Sequence, residues 1–181
     1  TSALFDLINN GSWVEQTAAD NSATRFIVME EFTGHTCLNC PRGTKEVVRL
    51  DSIYQEQLIP IGIHSGTFAR PKSGDKYTTD FRVAGGHSEE YLLKYNPPGS
   101  GYPSAVVSRA KKLATGDSFW ENEIKALEND IPLASLELKT YFDSTSNIIR
   151  ANCKVVWKQS LPEKYNLQVF VLEDHVIDWQ L

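Results

Sequence analysis

Two cysteines three positions apart, in Cys37-Leu38-Asn39-Cys40, are the residues of this chain best suited to covalent chemistry. The thiolate is the form of cysteine that attacks a disulfide, and the partial positive charge at a helix N-terminus lowers a thiol's pKa. Two intervening residues place the second sulfur about one helical turn on, within reach of a mixed disulfide formed by the first. On that chemistry Cys37 is the nucleophile and Cys40 the resolving thiol. The same spacing also suits half of a zinc site or a fixed structural bridge, so the flanking elements have to discriminate.

Those elements read as strand, loop, helix, strand. Residues 25–32 (RFIVMEEF) are rich in strand formers, and Thr33-Gly34-His35-Thr36 delivers the chain to Cys37. Pro41 suits a first helical turn, and Val47, Leu50, Tyr54 and Leu58 recur at helical spacing, which predicts a helix over about residues 40–57. The short apolar run 59–64 then completes a parallel βαβ unit, the setting of a redox motif. Residues 65–100 are richer in Gly, Pro and polar side chains and read as an insertion carrying a helix at 88–95. Gly101-Tyr102-Pro103 leads into a strand at 104–109 that could hairpin with 111–114. Ser118 and Glu121 have capping-box spacing before a helix whose inner face is Trp120, Ile124, Leu127 and Ile131.

Beyond Pro132 the pattern changes to alternation, in Ala134, Leu136, Leu138; in Ile149, Ala151, Cys153, Val155, Trp157; and in Leu167, Val169, Val171. Three antiparallel strands follow from it, forming a small β-domain. Three are few for a closed sandwich, which leaves an incomplete domain as one reading. The expected division is residues 1–132 and 133–181, with the opening stretch to Ala23 a small packing element. Cys153, flanked on its own strand face by apolar residues, reads as a buried core position without a catalytic role.

Composition narrows the function classes. The 181 residues carry 23 acidic and 18 basic side chains, a formal charge of -5, without a long run of one sign, so no footprint for nucleic acid is present. No stretch approaches the roughly 20 apolar residues of a membrane span. A chain opening on Thr1 instead of Met is compatible with a signal or lipid-anchor segment lost before it.

The run EEFTGHTCLNCPRG, with Gly101-Tyr102-Pro103 ahead of a later strand, resembles the thioredoxin superfamily. With Tyr77-Thr78-Thr79-Asp80-Phe81-Arg82 and GYPSAVVSR it resembles, more narrowly and over most of the chain, the Omp-twenty-eight-related outer-membrane lipoproteins of Bacteroidetes. The resemblance implies an α/β thioredoxin-like domain, a central mixed sheet flanked by helices, followed by the antiparallel β-domain. It implies a cis Pro103 facing the cysteine pair, as X-Pro bonds allow at low cost, and Tyr102 lining a substrate groove through its backbone. It further implies an acid in the preceding strand that moves a proton to or from Cys40. Glu31, six positions before Cys37, has the matching spacing; Glu30 points to the opposite face, and a solvated strand position is open to either. Two departures stand out: no Trp precedes Cys37, and proline follows the pair instead of lying within it, so a thioredoxin-like potential does not carry over.

His35, two residues before Cys37, could favour the thiolate as an imidazolium and contact substrate, or could be a solvated loop residue; Arg42 could likewise support the thiolate or only face water. The four histidines show no paired ligand spacing, so neither metal nor cofactor is expected. Two functions remain: an envelope oxidoreductase acting on protein thiols or disulfides, and a lipid-anchored surface protein that binds a partner through its β-domain and keeps Cys37–Cys40 as an inert bridge.

Overall fold

A computed structural model describes residues 13–17, 25–83, 86–97, 100–162 and 164–181. They form two compact units. One comprises Phe26–Glu128 with Phe170–Leu181, the other Asn129–Val169 with the strand Trp13–Thr17 and Arg25.

In the first unit three strands form a mixed sheet. Strand β2 (Ile27–Thr33) is central, parallel to β3 (Leu58–His64) and antiparallel to β4 (Ser104–Val107). Helix α1 (Cys40–Tyr54) and a 3-10 turn (Gln55–Gln57) join β2 to β3, a crossover that parallel pairing requires. The expected strand, helix, strand order is present. Because side chains alternate along β2, its residues divide between two cores. Ile27 and Met29 pack with Leu50 of α1 and with Trp120 and Ile124 of α3 (Trp120–Lys125). Phe32 packs on the other side with Val106 and with Tyr95 of α2 (His87–Tyr95). Helices therefore cover both sheet faces, and each fully buried aliphatic side chain contributes about 1.5–3 kcal/mol.

The alternation also separates the two glutamates. Glu30 belongs to the α2 face, where it is buried, not solvated. Its carboxylate accepts from Arg109 Nε at 2.9 Å, Arg109 Nη2 at 2.6 Å and the Tyr91 hydroxyl at 2.8 Å. The Arg109 guanidinium lies over the Tyr91 and Tyr95 rings. Ser108 and Arg109 turn the chain back through left-handed φ values of 44° and 51°, so β4 stops at Val107, short of the 104–109 expected. The strand's further pairing is a single bridge, Ala105 with Thr115, in place of a hairpin with 111–114. Burial raises the Glu30 pKa while the Arg109 hydrogen bond and charge oppose it. Replacing the cation in Arg109→Met should cost about 2 kcal/mol at pH 7, discounted because the arginine is partly solvated, and less at pH 5, where Glu30 can take up a proton. Urea unfolding at both pH values checks this; equal losses would show that the pair contributes little beyond packing.

Two details near α3 differ from expectation. Ser118 makes no cap, because residues 117–119 form a 3-10 turn and α3 begins at Trp120. Trp120 and Ile124 are fully buried and Leu127 packs beside them, but Ile131 is 77% exposed, since the helix ends at Lys125 and its periodicity lapses.

The second unit is an antiparallel sheet in the order β1 (Trp13–Thr17), β5 (Ala134–Asp143), β6 (Ile148–Trp157). The third strand expected at Leu167, Val169 and Val171 does not form; these residues are exposed and irregular, and the chain's first segment takes the free edge of β5. The β5–β6 register places Leu136 opposite Val155, Leu138 opposite Cys153 and Phe142 opposite Ile149, with Glu137 opposite Lys154 on the other face. Ile149 and Trp157 are exposed and Cys153 is a half-buried free thiol, so the buried-core reading of Cys153 is corrected: alternation sorts residues to faces without saying what covers a face. The packing role read for the opening apolar residues, Leu4 to Ile8, lies outside the described residues. Among the described residues no helix is long and apolar enough to cross a membrane.

Candidate functional site

Cys37 and Cys40 are joined in a disulfide with Cα atoms 5.4 Å apart. It lies where the chain leaves the centre of the sheet: β2 ends at Thr33, residues 34–39 turn, and α1 begins at Cys40 with Pro41 in its first turn. Cys37 therefore stands before the helix, two residues ahead of the N-cap Asn39, in a turn closed by its N–H to Gly34 O at 3.0 Å. Both cysteines are buried, at 2% and 1% exposure, although Leu38 between them is 74% exposed.

The turn is held from the side by the 3-10 segment Thr67–Ala69. The Thr36 N–H and hydroxyl both donate to Phe68 O at 3.0 Å. The approach is close enough that a Cβ on Gly34 would lie 2.4 Å from the Phe68 carbonyl carbon. Part of the 65–100 region thus forms a wall of the site. His35 is not a solvated loop residue. It is buried against Tyr77 and Phe81, with His64 on the same Phe81 ring, and neither His35 nitrogen has a hydrogen-bond partner among the described residues. Burial and the neighbouring His35 push the His64 pKa down.

The Tyr102–Pro103 bond is cis. Gly101, at φ +83°, makes the turn that presents it, a backbone state glycine adopts without steric cost. Asn96 Nδ2 and the Ser104 hydroxyl both donate to the Gly101 carbonyl, at 3.1 and 3.2 Å. The Tyr102 ring turns inward, its hydroxyl 3.1 Å from Ser65 Oγ and its edge against Phe68. Pro103 packs on Gly43, one turn into α1 from Cys40: a Cβ there would sit 2.5 Å from Pro103 Cβ and 2.8 Å from Glu31 Oε1.

No family model, curated protein or solved structure matches this chain.

Glu31 lies beneath the first turn of α1, beside Pro103, buried and with Oε1 lacking a hydrogen-bond partner among the described residues. Desolvation, reinforced by the negative charge of Asp117, pushes its pKa up to about 7. Arg42 is largely exposed and pairs with Asp117, Nε to Oδ2 at 2.8 Å. The fold thus gathers Cys37, Cys40, Pro103 and Glu31 around one end of α1, with His35 and Tyr102 packed behind the turn. Sequence reasoning missed Gly43, Phe68 and Asp117. Only Gly43 gave a signal, since a glycine inside a helix costs about 1 kcal/mol against alanine and marks a close approach.

Proposed function

We propose that this chain is a thioredoxin-like protein of the cell envelope, akin to the Omp-twenty-eight-related lipoproteins, that exchanges disulfides with protein partners through Cys37 and Cys40. The observation that carries this reading is the buried Glu31 carboxyl, whose Oε1 has no hydrogen-bond partner among the described residues and whose pKa is pushed up to about 7, under the helix that begins at Cys40 and against the cis proline. A structural bridge has no use for a proton donor and acceptor tuned to neutral pH, whereas a resolving thiol has to lose and regain a proton at each exchange. The sheet order β3-β2-β4 with helices on both faces supports the thioredoxin-like assignment. Envelope location, a lipid anchor and partner binding by a C-terminal β-domain from residue 133 rest on the resemblance.

In the reduced protein the Cys37 thiolate attacks one sulfur of a partner disulfide. A Cys37–partner disulfide forms, the partner's S–S bond breaks, and the departing partner thiolate takes a proton from solvent. Glu31 accepts the Cys40 proton, Cys40 attacks Cys37 Sγ, and the second partner sulfur leaves as a thiolate. Two electrons pass to the partner and the protein ends in the disulfide form; the reverse sequence oxidises a partner dithiol.

A second reading has its own observation. Both sulfurs are almost wholly buried, as an inert bridge in a binding protein would be. Turnover of a disulfide-bonded protein substrate in a glutathione buffer separates the two. Exchange predicts that Cys37→Ser falls to the background rate, while equal, near-background rates from both proteins would establish the binding reading.

A further inference from the structure

The last residues of the first unit lie on the turn that carries Cys37. The Leu181 N–H donates to His35 O at 2.9 Å, and the Gln180 side-chain amide donates to Cys37 O at 3.2 Å and Gly34 O at 3.4 Å. Just upstream, Asp178 accepts from the Thr79 hydroxyl, and the Lys76 ammonium stands 4.1 Å from the centre of the Trp179 ring. Four successive residues therefore make directional contacts, three backbone carbonyls of residues 34–37 on one side and the 76–79 segment on the other. Asp178, Trp179 and Gln180 make these contacts through their side chains and Leu181 through its backbone N–H, the mixture of main-chain and side-chain readout by which a peptide segment is recognised.

We propose that residues 178–181 form an intramolecular strap that occupies a peptide-docking ledge beside the disulfide, the ledge being the carbonyls of Gly34, His35 and Cys37 with Lys76 and Thr79. This rests on the exchange reading for its purpose: the Gln180 amide on the Cys37 carbonyl sets the strap on the turn that carries the buried Cys37, and a partner polypeptide has to displace it. The contacts are few and lie at the surface, so the strap opens at far lower cost than the fold unfolds, and reduction proceeds through the opened population. Charge and ring chemistry define what the ledge accepts: an extended segment with an acidic residue for Thr79, an aromatic ring for Lys76, and amide donors for the carbonyls.

The test uses the whole oxidised chain and excess dithiothreitol. One reductant thiolate attacks a sulfur of the Cys37–Cys40 bond, the other protein sulfur leaves as a thiolate, and the second reductant thiol closes on the mixed disulfide, leaving a protein dithiol and cyclic oxidised reductant. With Trp179→Ala and Gln180→Ala combined, reduction should be about tenfold faster at an unchanged urea midpoint. If that midpoint falls, Lys76→Ala with Thr79→Ala removes the ledge side of the contacts, and the same acceleration is expected. A rate equal to that of the unaltered chain, in a variant with an unaltered midpoint, overturns the strap. Reduction by a small reagent requires no turnover, so loss of the exchange reading alone would leave this rate effect intact, and loss of the strap alone would leave turnover sensitive to Cys37.

Discussion

Glu31→Gln should make the oxidised protein more stable in alkali, with a gain of about 3 kcal/mol above pH 8. The carboxyl has a pKa of about 7 in the fold against 4.5 as the ordinary value, and each unit is worth about 1.4 kcal/mol. Between those two values the native state holds a proton that the unfolded chain has released, so stability falls as pH rises and is lowest once the buried carboxylate is ionised. The amide cannot ionise and lacks that slope. His64 acts with the opposite sign: its pKa is depressed in the fold, so acid favours the unfolded chain. Present in both proteins, it cancels from their difference. Urea midpoints from pH 5 to 9 measure the effect. Parallel curves for the two proteins would mean that Glu31 is solvated, and would remove the observation on which the exchange function stands.

Gly34→Ala should cost about 3 kcal/mol and disorder the turn before Cys37. The added Cβ would meet the Phe68 carbonyl carbon at 2.4 Å, its oxygen at 2.5 Å and its Cβ at 2.7 Å. These are largely backbone atoms and cannot rotate aside as a flexible side chain would, so the 67–69 turn has to shift. That shift breaks the two hydrogen bonds from Thr36 to Phe68 O, each worth about 1 kcal/mol, on top of about 1–3 kcal/mol for overpacking. Gly62→Ala is the matched control, because its Cβ would find only Thr33 Cγ2, at 3.9 Å. Urea unfolding of the two variants should differ by most of the predicted loss; equal midpoints would show that the turn yields cheaply.

The cysteine pair, its position between a strand and a helix, and the proline ahead of β4 were legible because each depends on local rules. A proline in a first turn, apolar residues at helical spacing and an X-Pro bond carry their meaning within a few positions. The same holds for the alternation in β5 and β6. What could not be read were the relations between distant segments. Alternation told which residues of β5 share a face, but its edge partner came from Trp13–Thr17, more than a hundred positions away, instead of from Leu167 to Val171. Alternation sets Glu30 and Glu31 on opposite faces, but nothing local says which carboxylate meets a cation.

The sequence by itself determined that two thiols stand one turn apart at the start of a helix, since spacing and propensity act along the chain. The tertiary structure alone decided their surroundings. Packing against α1 and Pro103 left Glu31 without a cation among the described residues, while Arg109 returned through a left-handed turn to neutralise Glu30. It also withdrew His35 from solvent and laid residues 178–181 across the turn. Desolvation and charge pairing depend on which groups meet in space, and that is set by the fold as a whole.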